Sequence, residues 1–212
     1  MQDLKNLKCL LPKTEALLLK LIDECSFLKK YVLVGGSALA LYLCHRKSED
    51  LDFFTYEDSF DKREIFEYIQ SFKNKEILSQ SDEQIDALLD GVKVTFFNAK
   101  WNFLKPQKVK KFNLASLESI SAMKVNTLFL RAKYRDYYDL YFLAKERMSL
   151  KEIFENSKYI VEGINFKLFA IALLYIDDIE DDNIKYLEPK EIISKEKIRD
   201  FFQVRLDRIV KS

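Results

Sequence analysis

Asp50 and Asp52 are the two residues of this sequence best suited to binding a metal ion. They flank Leu51 and precede Phe53 and Phe54, and such alternation is typical of a β-strand, in which residues two apart point to one face. Two carboxylates on one face repel each other unless a cation lies between them, and oxygen ligands suit Mg2+ or Mn2+. The spacing predicts a divalent cation at Asp50 and Asp52, with a surface strand or a pair of capping residues as the alternative.

A turn of small residues, Gly35-Gly36-Ser37, lies between a predicted strand at 31–34 and a predicted apolar helix at 38–44. Glycine lets the backbone turn tightly and approach a ligand, and the N–H groups and dipole at a helix start favour a phosphate. We therefore predict that this turn holds a nucleotide phosphate, with a plain strand-to-helix turn as the alternative. Arg46 and Ser48, in the loop before the aspartates, are placed to contact phosphate oxygens, to orient the aspartates, or simply to cap structure.

Three segments of the sequence resemble the AbiEii/AbiGii family of nucleotidyltransferase-like toxins, within the polymerase-β-type superfamily. They are Gly35-Gly36-Ser37, the run from His45 to Phe54, and Arg135-Asp136-Tyr137-Tyr138-Asp139-Leu140. The resemblance implies transfer of a nucleotidyl group from a nucleoside triphosphate, with the metal at Asp50 and Asp52. It further implies an RNA acceptor, in some members the 3′ end of tRNA, with a protein acceptor as the alternative. It also implies an antitoxin system, without requiring direct contact with it.

A second set of candidate residues follows in a helix predicted over 116–130. Lys124 and Arg131 are seven residues apart, which is two helical turns, so they share a face. A lysine on a largely apolar helix is a candidate phosphate contact, and the family resemblance supports Lys124 in a catalytic role. The alternative is a surface lysine whose aliphatic stem covers apolar neighbours.

Asp136 and Asp139 are three residues apart in the next predicted helix, close to Arg131 and Arg135. We predict Asp136 as a catalytic residue and the two arginines as nucleotide-binding residues. An ion-pair latch between helices is the alternative, and the two roles are compatible because a latch would fix the geometry of a site.

Enzymes of the polymerase-β type commonly carry a third carboxylate on a later strand, but the predicted strand 92–97 has Thr95 at the inward polar position. A hydroxyl is a poor substitute for a metal-binding acid. Asp86, Asp90 or Asp136 are candidates to supply it. If none does, the alternative function is a catalytically weak or inactive nucleotide-binding regulatory module.

The elements that must position these residues suggest an α+β fold. We predict a small mixed β-sheet nucleotidyltransferase domain with flanking helices over residues 1–112, followed by an α-helical bundle domain over 113–212. Asp90-Gly91 is a strong two-residue hairpin signal between strands at 84–89 and 92–97. Helices are predicted at 12–27, 38–44, 62–72, 116–130, 134–147, 150–159, 165–176 and 189–208.

Composition limits the remaining possibilities. The 212 residues are 48% hydrophobic with a net charge of +1, so a globular protein is expected and no global field would attract nucleic acid. Any attraction for RNA would have to come from local basic clusters. The candidates are Lys105, Lys108, Lys110 and Lys111, and a second group of Arg131, Lys133 and Arg135. His45, the single histidine, excludes multi-histidine metal sites. The three cysteines are expected to be core thiols of a cytoplasmic protein, and apolar runs are too short for a membrane span.

Overall fold

The computed structural model describes residues 4–55, 57, 60–104, 106–109, 112–179 and 183–211. The chain forms two compact units, Met1–Ser116 and Leu117–Ser212. Three members of the predicted lysine cluster, Lys105, Lys110 and Lys111, lie outside the described residues.

A mixed seven-stranded sheet forms the centre of the first unit, with the order β3-β4-β5-β2-β1-β7-β6. Strand β1 pairs with β2 antiparallel and with β7 parallel, while β2 pairs with β5 parallel. The strands are β1 (Val32–Val34), β2 (Leu51–Thr55), β3 (Lys75–Gln80), β4 (Gln84–Leu89), β5 (Val92–Asn98), β6 (Pro106–Val109) and β7 (Phe112–Ala115).

Three α-helices are described in the first unit: α1 (Pro12–Glu24), α2 (Gly35–Leu43) and α3 (Lys62–Gln70). Pro12 suits the first helical position, where its missing N–H is not needed, and Asp61 caps α3 by accepting from two backbone N–H groups. Helix α1 contacts β5 and α3 contacts β4. On one face of the sheet Phe53 and Phe96 stack with ring centroids 5.7 Å apart, and Phe27 packs on Phe96. Alternation along β2 and β5 therefore leaves Asp52 and Thr95 on the other face.

The predicted hairpin is confirmed between β4 and β5, where Asp90 and Gly91 both have positive φ, as a type I′ turn requires. Helix α2 begins at Gly35, three residues before the predicted helix at 38–44. Strand β3 was not predicted, because its side chains are all exposed and no hydrophobic alternation marks it.

Five α-helices are described in the second unit: α4 (Leu117–Leu130), α5 (Tyr134–Glu146), α6 (Leu150–Ser157), α7 (Phe166–Leu174) and α8 (Lys195–Lys211). Tyr137 and Tyr138 are fully buried on α5, and their hydroxyls donate to the carbonyls of Ala172 and Glu191. Buried tyrosine hydroxyls need such acceptors, so these bonds hold α5 against the following segments. The predicted helix at 189–208 was wrong at its start. The hydroxyl of Ser194 accepts from the Lys197 N–H and so caps α8 at that point.

Cys9 and Cys44 form a disulfide with a Cα–Cα distance of 5.3 Å, which corrects the expectation of three core thiols. Backbone hydrogen bonds from Ser48 to Cys9 and from Leu11 to Ser48 align the N-terminal segment with the loop after α2, so the two sulfurs meet. Cys25 is a buried thiol as expected. Within the described residues, each helix is too short or too polar to traverse a bilayer.

Candidate active site

The structure brings the glycine turn and the aspartate pair together. Antiparallel pairing of β1 with β2 sets Val34 opposite Asp52, so the turn that follows β1 meets the Asp52 carboxylate. A Cβ atom added to Gly35, whose φ is +69°, would lie 2.6 Å from Asp52 Oδ2. Both the backbone conformation and this contact require glycine. The first turn of α2 is therefore adjacent to the carboxylate that we predict to bind the metal.

Arg46 and Ser48 lie against the second glycine of the turn. A Cβ atom at Gly36 would be 2.9 Å from Arg46 Nη2 and 3.3 Å from Ser48 Oγ. Both side chains are buried, and Arg46 Nη1 donates to the carbonyl oxygen of Lys47 at 2.9 Å. A guanidinium is thus fixed beside the start of α2, where it adds positive charge to the helix N-terminus.

Ser37 connects the turn to the loop that precedes β2, because its hydroxyl donates to the backbone carbonyl of Asp50. The Ser37 side chain is buried, so its observed contribution is to hold Asp50 in place. Val34, at the N-cap of α2, makes no side-chain capping bond in the described structure. Backbone N–H groups at such a helix start favour an anion.

A row of three polar residues crosses the sheet at this level. Asp52 pairs with Thr95 in the parallel β2–β5 register, and Thr95 pairs with Asp86 in the antiparallel β4–β5 register. Residues directly opposite share a face, and neighbouring strands are about 4.8 Å apart. Asp86 is therefore two strands from Asp52, with Thr95 between them.

Asp86 is a buried carboxylate held by three neutral donors. It accepts from Thr95 Oγ1 at 2.7 Å, from Ser79 Oγ at 2.6 Å and from Gln84 Nε2 at 2.7 Å. Burial acts to raise the pKa of Asp86, but these hydrogen bonds stabilise the charged form, and its pKa is lowered overall. Of the two hairpin candidates for the third carboxylate, Asp86 lies on the face of Asp52, whereas Asp90 lies in the exposed β4–β5 turn.

The oxygen ligands available at the site fit a hard cation that arrives bound to the phosphates of a nucleotide. Asp50 and Asp52 are half-buried and offer only oxygen atoms. No group of three or more histidine, cysteine, aspartate or glutamate side chains in the described residues is arranged to hold a metal ion. A Mg2+ or Mn2+ ion would take its remaining ligands from phosphate and water, as Mg2+ commonly does.

A half-buried set of aromatic rings follows the carboxylates along the same strands, and the sequence analysis missed it. It comprises Phe54, Phe97, Trp101 and Phe103. The spacing in the sequence could have revealed it, because Phe54 and Phe97 come two residues after Asp52 and Thr95 and therefore share their face of the sheet.

In the second unit, Lys124 lies between two carboxylates. Its Nζ is 3.0 Å from Asp136 Oδ1 and 2.6 Å from Asp139 Oδ2, and the side chains are 6%, 0% and 0% exposed. Arg131 Nη2 also reaches Asp136 Oδ1, at 3.3 Å. Burial acts to raise the pKa of Asp136, but the charges of Lys124 and Arg131 outweigh it and the pKa is lowered. The ion-pair latch is present, while direct catalytic roles for Lys124 and Asp136 stay predictions.

Arg131 and Arg135 differ in their surroundings. Arg131, just after α4, is 47% exposed while it contacts Asp136. Arg135 is half-buried in the first turn of α5. Their predicted nucleotide-binding roles stay predictions.

A cavity of about 760 Å³ in the first unit lies apart from these carboxylates. Its lining includes Ile22, Cys25, Lys108 and Phe112 but neither Asp50 nor Asp52. The candidate site is therefore identified by the chemistry of its charged and backbone groups.

The sequence of this chain is similar to those of known proteins. The family model described as "Nucleotidyl transferase AbiEii toxin, Type IV TA system" matches residues 17–110 and 102–201. The protein aq_aa25 of Aquifex aeolicus is 31% identical over 182 residues, covering 82% of this chain and 88% of that protein.

Solved structures show the same fold. JHP933 from Helicobacter pylori superposes with a TM-score of 0.59 at 19% identity, over 95% of each chain. MenT4, a nucleotidyltransferase toxin from Mycobacterium tuberculosis, gives a TM-score of 0.55 at 16% identity, over 84% of this chain and 76% of that one.

Proposed function

The chain belongs to the AbiEii family of nucleotidyl transferase toxins, and from this premise we propose that it transfers a nucleotidyl group from a nucleoside triphosphate to RNA. The 3′ end of tRNA is the acceptor that we favour, with a protein side chain as the alternative. The observation that carries the proposal is the contact between the glycine turn and Asp52, which places a helix N-terminus beside a carboxylate. Phosphate and cation then have adjacent places.

In the proposed reaction, the acceptor hydroxyl oxygen bonds to the α-phosphorus, the bond to the β-phosphate breaks, pyrophosphate leaves and the hydroxyl proton passes to water. Mg2+ or Mn2+ at Asp50 and Asp52 would supply charge neutralisation and activation of the attacking hydroxyl. The backbone N–H groups at Gly35 and Gly36 bind the phosphates, and the Arg46 guanidinium offsets their charge. Ser37 and Ser48 orient the loop that carries the aspartates.

For the second unit we propose an α-helical bundle domain in which Lys124, Asp136 and Asp139 act as positioning residues. Their ion pairs join α4 to α5 and hold Arg131 by its contact with Asp136. The protein is proposed to work in the cytoplasm beside an antitoxin system.

Thr95 favours a second candidate function, a nucleotide-binding regulatory module that transfers slowly or not at all. The hydroxyl at the place of the third acid is committed to Asp86, and that carboxylate is itself occupied by three donors. Nucleotide would then bind at the same turn without efficient activation of an acceptor.

The test is incubation of purified protein with each labelled ribonucleoside triphosphate, Mg2+ or Mn2+, and total cellular RNA. Asp50→Asn/Asp52→Asn is the inactive variant, and Glu67→Gln/Glu76→Gln is the matched control because it removes two exposed acidic charges. We expect label on RNA with the wild type and the control only. Equal labelling by the Asp50/Asp52 variant would refute the proposed site. Metal-dependent nucleotide binding without a labelled product would establish the regulatory module instead.

A further inference from the structure

Four aromatic side chains form a continuous surface beside the candidate active site, here called the aromatic platform: Phe54, Phe97, Trp101 and Phe103. The rings of Phe54 and Phe97 meet edge to face at 4.9 Å. Trp101 lies 5.8 Å from Phe54 and 6.3 Å from Phe97, and Phe103 stacks on Trp101 at 5.6 Å with an interplanar angle of 29°. These are ring distances that favourable aromatic contacts adopt.

Local backbone geometry builds the platform. The parallel register sets Phe54 opposite Phe97, which brings their rings to the same face of the sheet. After β5, Lys100 adopts a left-handed conformation with φ +51°, and the Leu104 N–H donates to the Trp101 carbonyl at 3.0 Å. This turn after β5 brings the Trp101 ring to the edge-to-face contact with Phe54.

Burial distinguishes the platform from the core behind it. Phe53 and Phe96, the neighbours of Phe54 and Phe97 on the same strands, are 1% and 0% exposed. The four platform residues are only half-buried. Because neighbouring residues of a strand point to opposite faces, Phe53 and Phe96 belong to the core face, whereas the platform rings retain surface on the face that carries the charged site.

The position of the platform relative to the carboxylates indicates what it contacts. Phe54 is two residues beyond Asp52, about 6.6 Å along the strand, and Phe97 is the same distance beyond Thr95. A nucleobase is joined to its phosphate through one ribose, so a nucleotide whose phosphate lies at the glycine turn can extend its base over these rings. Every base presents a π-face, and stacking on aromatic side chains tolerates different bases.

We infer that the aromatic platform is a stacking subsite for a nucleobase of the substrate. The inference rests on the proposed function in that it takes the phosphate to lie at the glycine turn, next to the Asp52 carboxylate. The base comes either from the nucleoside triphosphate or from an unpaired nucleotide of the RNA acceptor. In both cases the recognition chemistry is the same: a flat π-system against Phe54, Phe97 and Trp101, without base-specific hydrogen bonds.

Trp101 is the single tryptophan of the chain and provides a direct readout. We would titrate the wild type, in Mg2+, with each ribonucleoside triphosphate, with a short single-stranded RNA, and with inorganic triphosphate as a probe that lacks a base. We expect saturable quenching of Trp101 fluorescence by a base-containing probe and much less by inorganic triphosphate. Quenching by the nucleoside triphosphate assigns the base to the donor, and quenching by RNA alone assigns it to the acceptor.

Phe97→Leu tests the platform itself, with Tyr159→Leu as the control because Tyr159 is an exposed ring in the second unit. We expect Phe97→Leu to weaken binding of the quenching probe about tenfold, the size of losing one base–aromatic stack, and Tyr159→Leu to leave it unchanged. Trp101→Phe and Trp101→Leu, compared by calorimetry, give a second measure in which only the leucine variant should lose affinity. Circular dichroism verifies that each variant is folded.

The outcomes separate this inference from the proposed function. Equal quenching by inorganic triphosphate, or unchanged affinity in Phe97→Leu and Trp101→Leu, would overturn the platform even if labelled nucleotide is transferred to RNA. Base-dependent quenching that Phe97→Leu weakens would support the platform even if no transfer is detected, in which case the proposed reaction fails and the subsite stands.

Discussion

The chain contains two pairs of aspartates that share a face by their spacing, and the structure gives them opposite surroundings. Asp50, just before β2, and Asp52, within it, are half-buried near the glycine turn. Asp136 and Asp139, on α5, are fully buried, and Lys124 contacts both. One pair lies next to a helix N-terminus with part of its surface exposed, and the other is buried around the Lys124 ammonium group.

This difference shows that burial and neighbouring charges decide what role a pair of aspartates can have. A buried charge is tolerated when an opposite charge and hydrogen bonds replace the water that it loses. In the Lys124 cluster the opposite charges are supplied internally and Asp136 Oδ1 is paired, although the buried Asp136 Oδ2 has no hydrogen-bond partner in the described structure. These ion pairs hold α4 against α5. The Asp50 and Asp52 side chains are half-buried, so part of their surface remains exposed to solvent, as the predicted metal site requires.

Removing the cation from the buried pair should have the largest effect on stability. Lys124→Met leaves two carboxylates without their shared partner, which costs about 3–5 kcal/mol in comparable buried pairs. Urea unfolding followed by circular dichroism measures this loss. Lys151→Met, which removes an exposed lysine from α6, is the matched control and should change stability little. Asp50→Asn/Asp52→Asn should cost less than Lys124→Met.

A neutral cluster sharpens the same comparison. Lys124→Met/Asp136→Asn/Asp139→Asn should recover part of the stability lost in Lys124→Met, because the unpaired charges are gone. If Lys124→Met is no less stable than Lys151→Met, the ion pairs do not hold the second unit together and the contrast between the two aspartate pairs fails.

Gly35→Ala should have the next largest effect, and it acts on the half-buried pair. Alanine at φ +69° costs about 1–2 kcal/mol, and its Cβ would also collide with Asp52 Oδ2. Gly163→Ala is the control, because Gly163 has φ +71° but nothing within 4 Å of an added Cβ. We expect Gly35→Ala to cost about 1–3 kcal/mol more than Gly163→Ala, as overpacking does.

Measuring the activity of Gly35→Ala and Gly163→Ala shows whether the position of Asp52 affects transfer beyond any loss of stability. Displacement of Asp52 by Gly35→Ala should lower nucleotidyl transfer about a hundredfold, whereas Gly163→Ala should transfer like the wild type. Equal losses of stability and activity in the two variants would mean that the contact with Asp52 is of no consequence.

Much of the fold followed from local signals. Pro12 marked the start of α1, and Asp90-Gly91 marked the hairpin of β4 and β5, because these residue types have strong backbone preferences. The start of α8 was missed because Pro189 also suits a helix start, while Ser194 is the residue that caps it. Strand β3 carried no alternation to detect, since neither of its faces is buried.

The site was predictable where residues are close in sequence and less so where they meet through the sheet. The approach of Gly35 to Asp52 follows from the motif, because the short strands β1 and β2 are close in sequence and pair directly with each other. The bond from Thr95 to Asp86 depends on the β4–β5 register, and the disulfide of Cys9 with Cys44 depends on a loop alignment. Neither register nor loop alignment is evident in the composition of a single segment.

Thr95→Val tests the surroundings of Asp86. This carboxylate is buried, like Asp136 and Asp139, but the three side chains that donate hydrogen bonds to it are neutral. Losing the Thr95 hydrogen bond should cost about 1–2 kcal/mol, because valine keeps the shape while a charged acceptor loses a buried donor. Ser79→Ala should cost less, since Ser79 is exposed and water can replace its hydroxyl. Equal effects of the two variants, measured by urea unfolding, would argue against a buried anchoring role for Thr95.

Acid should produce the smallest and most gradual effect, and it reports on the buried carboxylates. The pKa of Asp136 is lowered in the folded protein from its ordinary value of 3.8, because Lys124 and Arg131 outweigh the effect of burial. A lowered folded pKa contributes stability that is complete above 3.8 and is lost as the pH falls through the folded value, since the unfolded chain binds the proton first. The free energy of unfolding should therefore decline as the pH is lowered below about 4. Lys124→Met/Asp136→Asn/Asp139→Asn should show a shallower decline, because it lacks the ionised cluster, while Lys151→Met should follow the wild type. If the wild type and the neutral-cluster variant decline in parallel, proton uptake by other carboxylates, with Asp86 as the first to examine, dominates the acid response and the Lys124 cluster contributes nothing distinctive to it.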